Sequence, residues 1–205
     1  METKTLPITD HNALAAAIDI LTDGGLVAFP TDTVYGLGAL AFDEKAVGKL
    51  YEVKERGIEK AIPVLIGDVA QLSQVAAGVN SVGERLARRF WPGPLTIVLP
   101  RSPAIPDAVT PLPTVGVRIP DFDPTRDLLR LTGPLAVTSA NISGQSSPST
   151  AAGVDSQLGG RIPLILDGGV THGGTPSTVV DCSKDKLVLL REGPITMEQI
   201  LATLV

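Results

Sequence analysis

Short apolar runs alternate along this chain with stretches of helical spacing, and that alternation limits the fold more than any other feature of the sequence. Leu26 to Phe29, Ile62 to Ile66, Leu95 to Leu99, Val115 to Ile119, Leu135 to Thr138, Leu164 to Leu166, Thr178 to Asp181 and Leu187 to Leu190 are too short for buried helices. Most are bounded by glycine, proline or small polar residues, so they read as strands. Between them, Asp10 to Asp23 carries Leu14, Ile18 and Leu21 on one helical face, with Thr9 or Asp10 as N-cap and Gly24-Gly25 as the stop. Further helices are expected from Asp43 to about Lys54, Val69 to Ala76, Val82 to Phe90, about Pro124 to Leu131, just after Thr150, and Met197 to Leu204. Interleaved elements of this kind define an α/β (α+β) fold with a mixed sheet and flanking helices. The last two strands are joined by Ser183 to Lys186, short enough for a hairpin, so part of the sheet should be antiparallel.

With 205 residues and no shift in composition that would mark a linker, residues 1–205 are expected to form one domain. A hydrophobic fraction of 43% against 19% charged excludes intrinsic disorder. Aromatics, at 3%, are too few for a platform that stacks several bases. One cysteine rules out a disulfide framework, and His11 and His172 are too few for a zinc site built of imidazoles, so no metal site of the protein's own is expected. Residues Met1 to Asp10 lack the basic start and apolar run of a signal peptide, and no apolar stretch approaches the ~18 residues of a membrane span. A cytoplasmic location is therefore expected. The net charge of −5 argues against non-specific binding to nucleic acid, so an anionic ligand would need a local cluster of cations.

Several segments are candidates for chemistry. Gly36-Leu37-Gly38-Ala39-Leu40-Ala41 matches a dinucleotide-binding fingerprint, but Pro30 ends the preceding strand six residues too early for the required turn. The P-loop pattern is absent. Phe29 to Ala39 passes from a strand through Thr31, Asp32 and Thr33 to glycines that permit close backbone approach to a ligand; a polar turn capped by Thr and Asp is the alternative. Lys54, Arg56 and Lys60 surround Gly57, which is expected to break the helix so that the cations could converge on a polyphosphate; a solvated helix end would look similar. Arg118 sits within an apolar strand, where a guanidinium either neutralises a carboxylate of the protein or awaits an anionic ligand. Ser139 to Gly144, Ser177-Thr178 and Arg191 to Pro194 place small or charged polar groups at strand ends, where α/β sheets bind ligands. Cys182 reads as a packed thiol. Composition marks Ser139 to Gly153 and Gly168 to Pro176 as segments able to close over a site.

Taken in order, FPTDTVYGLGALAFDEKAV, the K-x-R of Lys54 and Arg56 with Lys60 following, WPGPLTIVLP, VGVRIPD, LAVTSANISG, PSTVVD and LLREGPI resemble the YrdC-like L-threonylcarbamoyladenylate synthases in their short form. The resemblance covers about residues 10–200 and implies a twisted mixed sheet around a deep cavity. It implies condensation of L-threonine, bicarbonate or CO2, and ATP carrying Mg²⁺ into L-threonylcarbamoyl-AMP and pyrophosphate. The product would pass to a downstream transfer complex that modifies adenosine 37 of tRNAs reading ANN codons, so little direct tRNA affinity is expected. Position by position, Thr33, Leu65, Arg118, Val137 and Ser177 match the positions enclosing L-threonine, with Arg118 on its carboxylate. Arg56, Lys60, Thr114, Ser139, Ser147 and Arg191 match the ATP contacts, with Lys54 and Asn141 beside them. Gly57 and Ala61 stand where many members have proline, which loosens the cation-bearing loop.

The resemblance implies catalysis by proximity, with Lys54, Arg56 and Lys60 stabilising charge on the phosphates. Two competing readings are a relative that binds RNA or nucleotide without synthase activity, and a nicotinamide-dependent oxidoreductase.

Overall fold

The computed structural model describes residues 2–184 and 186–204, so Asp185 in the expected hairpin turn lies outside the described residues. The strands are β1 (Lys4–Pro7), β2 (Val27–Phe29), β3 (Gly36–Leu40), β4 (Val64–Leu65), β5 (Leu95–Pro100), β6 (Thr114–Arg118), β7 (Leu135–Ser139), β8 (Leu164–Asp167), β9 (Thr178–Asp181) and β10 (Val188–Arg191). Among the described residues they form one sheet in the order β1-β8-β2-β3-β7-β4-β6-β5-β9-β10. Pairing is parallel at β1–β8, β2–β8, β4–β6 and β5–β9 and antiparallel elsewhere, including the β9–β10 hairpin. The mixed α/β sheet expected from the interleaved pattern is the fold observed.

The helices are α1 (His11–Thr22), α2 (Glu44–Lys54), α3 (Leu72–Val75), α4 (Ser81–Phe90), α5 (Asp123–Thr132), α6 (Ala151–Leu158) and α7 (Met197–Ala202). Side-chain oxygens of Asp10, Asp43, Asn80, Thr150 and Thr196 cap α1, α2, α4, α6 and α7, satisfying backbone donors that the first turn leaves open. The expected helix from Val69 to Ala76 is a 3-10 turn, Val69–Gln71, followed by the single turn of α3.

Strand alternation divides the sheet into two faces. Leu95, Ile97, Leu99, Val115 and Val117 point into a large core shared with Val47, Leu50, Val75, Leu86 and Val154. On the opposite face, α1 and α5 cover one half, where Ala13, Ala17, Leu21, Phe29, Leu128, Leu135 and Val137 pack together. The other half of that face, on β6, β5 and β9, has no helix over it among the described residues.

One strand is unexpected, and two expectations are corrected. Lys4–Pro7 is a strand, paired parallel with β8 at the sheet edge; its residues are mostly exposed, so no apolar run announces it. Gly36 to Leu40 is strand β3 between β2 and β7, and its glycines face packed side chains. A Cβ at Gly36 would lie 2.7 Å from Val137 Cγ1, and one at Gly38 would lie 2.8 Å from Phe29 Cε1, so Gly38 makes room for the Phe29 ring, while Gly36 also borders the cavity on the open half of the sheet. Finally, α2 ends two residues before Gly57, at Glu55 in the left-handed conformation (φ 55°), whose N–H reaches Glu52 O.

Candidate active site on the open half of the sheet

Where α1 and α5 leave the sheet uncovered there is a cavity of about 540 Å³, lined from β6 by Thr114, Gly116 and Arg118 and from β5 by Thr96 and Val98. Gly116 keeps it open: a Cβ there would stand 3.1 Å from Thr96 Cγ2. The five residues matched to threonine, Thr33, Leu65, Arg118, Val137 and Ser177, all line this cavity. So do Arg56, Thr114, Ser139 and Arg191 of the ATP set.

Arg118 is 5% exposed and fixed on three sides. Its Nε donates to Gly93 O (3.0 Å), Nη1 donates to Thr33 Oγ1 (3.0 Å), and Nη2 donates to Asp32 Oδ1. The turn Trp91 to Pro94 positions the first acceptor: Trp91 Nε1 donates to Leu95 O (2.7 Å) and Gly93 N to Ile119 O (2.9 Å). Burial lowers the Arg118 pKa and the Asp32 charge works against that. Three of the five guanidinium N–H groups are thus occupied, leaving two for a ligand. Arg118 therefore neutralises a carboxylate of the protein, Asp32, the first of the two readings, and its remaining donors leave the second open.

Ser177 and Arg191 form a second group. Arg191 donates from Nε (3.0 Å) and Nη2 (2.8 Å) to Ser177 O and from Nη2 to Ser177 Oγ (3.1 Å), while Ser177 Oγ also bonds Thr96 Oγ1 (2.8 Å). Burial, then the positive fields of Arg118 and Arg56, lower the Arg191 pKa. Three guanidiniums thus bear on one cavity, and an anion placed there relieves both their repulsion and their desolvation. Arg56 donates to Ala61 O (3.2 Å), and its buried Nε has no partner.

Four expected residues lie outside the cavity lining. Lys54 is 1% exposed, and its Nζ donates to Ser139 O and Asn141 O, while Lys54 O accepts from Ser143 N (2.8 Å). That ammonium clamps α2 to the chain leaving β7 instead of facing a phosphate. Burial, with Arg56 adding repulsion, lowers its pKa to about 7. A neutral amine retains two N–H donors, enough for both carbonyls, so the clamp survives deprotonation. Lys60 is exposed. Asn141 Nδ2 donates to Ile142 O (2.7 Å) and Gln145 O (3.0 Å), within its own loop. Ser147 is half-buried next to Pro148, whose carbonyl accepts from Tyr35 N (3.0 Å). The expected convergence of Lys54, Arg56 and Lys60 is therefore not observed; Arg56 alone of the three reaches the cavity. Tyr51 OH, donating to Lys60 O (3.2 Å) and Ala108 O (2.9 Å), holds this turn despite Gly57 and Ala61.

Thr31, named with the segment Phe29 to Ala39, also lines the cavity, as do Thr96, Thr110 and Asp181, which were not singled out from the sequence. Thr96 was legible in principle, as a hydroxyl at the alternate position of an apolar strand. Thr31 Oγ1 donates to Val34 O (2.7 Å), so the segment is a capped polar turn as well as a cavity wall. The two expected closing segments meet beside Thr33: Thr171 N donates to Ser149 O (2.8 Å) and Gly174 N to Thr33 O (2.9 Å). Among the described residues, no three His, Cys, Asp or Glu side chains gather as a metal site, and no helix is long and apolar enough to cross a membrane.

A mixed sheet with a cationic, hydroxyl-lined cavity on its open half defines a small-molecule-binding α/β protein. A family model for Sua5, YciO and YrdC proteins, described as telomere recombination, matches residues 19–193, and the chain belongs to that family. It is 45% identical over 186 residues to the threonylcarbamoyl-AMP synthase of Pyrococcus abyssi, covering 90% of this chain and 55% of the relative. It is 44% identical over 202 residues to that of Bacillus subtilis, covering 96% of this chain and 58% of the relative. The chain thus spans a little over half the length of these relatives. The crystal structure of P. abyssi Sua5 complexed with L-threonine superposes with a TM-score of 0.92 at 41% identity, covering 98% of this chain and 60% of that one. E. coli YciO superposes at 0.84 with 25% identity, covering 97% of this chain and 98% of that one.

Proposed function

We propose that this chain is an L-threonylcarbamoyl-AMP synthase. The observation that carries the reading is Arg118, held on three sides and keeping two N–H groups for a carboxylate, in a cavity whose wall includes Thr33, Leu65, Val137 and Ser177. Arg56 and Arg191 supply the charge for a polyphosphate in the same cavity. L-threonine binds with its carboxylate on Arg118, and its amine is carboxylated by CO2 derived from bicarbonate. The carbamate oxygen then attacks the ATP α-phosphate, forming one P–O bond as the bond to pyrophosphate breaks. Mg²⁺ arrives with ATP as part of that substrate. The protein contributes proximity and fixed charge, the form of catalysis open to a cavity lined by hydroxyls and guanidiniums. The adenylate goes to a downstream complex acting on tRNA, consistent with a cytoplasmic site of action. An RNA-binding module without synthase activity is the weaker reading, because Arg56, Arg118 and Arg191 gather at one cavity and the net charge of −5 gives no general attraction for a polyanion.

Arg56→Ala is the direct test of the phosphate assignment. Arg56 makes only peripheral hydrogen bonds, so the fold should persist while the KM for ATP rises by about 10-fold or more, read as pyrophosphate release against ATP concentration. Unchanged pyrophosphate formation would remove Arg56 from the ATP site.

A further inference from the structure

Thr96 is matched to no substrate in the readings above, yet it occupies the centre of the cavity wall. Register Ile97↔Val117, continued by one residue, sets Thr96 opposite Arg118 on β6, and on its other side Thr96 pairs with Val179 of β9, two residues after Ser177. Arg118 and Thr96 are therefore register neighbours on the cavity side, and Ser177, immediately before β9, lies diagonally from Thr96, so the three form a staggered row with neighbouring side chains in contact range. Thr96 and Ser177 are 3% and 4% exposed, and their hydroxyls bond each other at 2.8 Å.

Counting donors and acceptors gives this pair two arrangements of equal heavy-atom geometry. Ser177 Oγ already accepts one hydrogen from Arg191 Nη2. If Thr96 donates to Ser177, both Ser177 lone pairs are filled and its own proton points to the ligand. If Ser177 donates to Thr96, one Ser177 lone pair is free to accept from the ligand. On the proposed reading of the site, the ligand changes in a way that needs both. A carboxylate on Arg118 places the α-amine beside the same row. The neutral amine presents N–H groups; when its lone pair forms the N–C bond to CO2, one C–O π pair becomes carbamate oxygen charge and one N–H proton goes to solvent. A donor is replaced by an acceptor.

We propose that Thr96 and Ser177 act as a reversible hydroxyl pair, accepting from the amine of the bound amino acid and donating to the carbamate that replaces it. Thr96 is the positioning residue, and rotation of two hydroxyl hydrogens is the only change required. The proposal rests on the synthase reading.

The test compares wild type, Thr96→Val and Thr96→Ser by thermal melting, by calorimetry with L-threonine alone, and by threonine-dependent pyrophosphate release. Valine preserves the shape and removes the hydroxyl; serine restores it. The expected result for Thr96→Val is a folded protein with weaker L-threonine binding and a lower kcat, together about 10-fold or more in kcat/KM, and recovery of both in Thr96→Ser. A lower melting temperature with unaltered KM and kcat would reduce Thr96 to a packing role and overturn the proposal. So would a change in KM with kcat untouched. An inactive wild type would overturn the synthase reading and this pair with it, whereas an active wild type matched by Thr96→Val overturns the pair alone.

Discussion

The two halves of one sheet face obey the same alternation and end in opposite states. On β2 and β3, a Cβ at Gly38 would meet the Phe29 ring at 2.8 Å, among side chains packed under α1 and α5, and the space is filled; Gly36 and Val137 stand at the edge of this half, where they also line the cavity. On β6 and β5, Gly116, Arg118 and Thr96 occupy corresponding alternate positions, no helix among the described residues covers them, and the space is a cavity. Glycine serves both halves. In the closed half it makes room for an aromatic ring; in the open half it leaves room for a ligand. The difference comes from what lies above the strand and not from the strand itself.

The largest effect expected from breaking this contrast is at Arg118. Arg118→Met strands Asp32, whose carboxylate also accepts from Asp121 N (3.0 Å), and removes the ligand carboxylate's partner. Stability should fall by about 3–5 kcal/mol, the cost typical of breaking a buried pair. In the folded fraction, kcat/KM for threonine should fall about 100-fold or more. Denaturant titration and pyrophosphate assay measure the two separately.

Paired glycine variants sharpen the comparison. Gly38→Ala in the closed half meets Phe29 at 2.8 Å and should lower stability by about 1–3 kcal/mol with activity per folded molecule unchanged. Gly116→Ala in the open half meets the Thr96 methyl at 3.1 Å and Pro63 Cβ at an ordinary 3.5 Å, so it should leave the melting temperature nearly unmoved and raise the KM for substrate. Equal stability losses at the two sites would show that the halves do not differ as described.

A separate effect, on stability and not on the contrast between the halves, is a pH dependence at Lys54. Its folded pKa of about 7 lies below the ordinary 10.5, so between those values the unfolded chain binds more protons and stability rises with pH. Below pH 7 both states are protonated and the slope vanishes. Lys54→Met, compared with wild type by denaturant titration across pH 6 to 10, should lack that rise.

The alternation that makes the strands was legible because it needs only neighbours in sequence. Arg118 stood out for the same reason, as a charge inside an apolar run. Strand β1 was hidden because an exposed edge strand needs no hydrophobic pattern, and β3 because its glycines mimic a phosphate loop until Phe29 is seen against them. Lys54 looked like a cation favoured at a helix end; only the fold brings the carbonyls of Ser139 and Asn141 onto its ammonium and keeps it out of the cavity lining. The chemistry at Thr96 depends on a partner 81 residues away, which no local pattern announces.

The central claim is that the open half of the sheet makes threonylcarbamoyl-AMP. Incubating the protein with ATP, bicarbonate and L-threonine, following pyrophosphate and weighing the adenylate by mass spectrometry tests it directly. The expected result is pyrophosphate release that requires all three substrates, with the mass of L-threonylcarbamoyl-AMP accumulating beside it. Release independent of L-threonine, or threonine-dependent release without that adenylate, would contradict it.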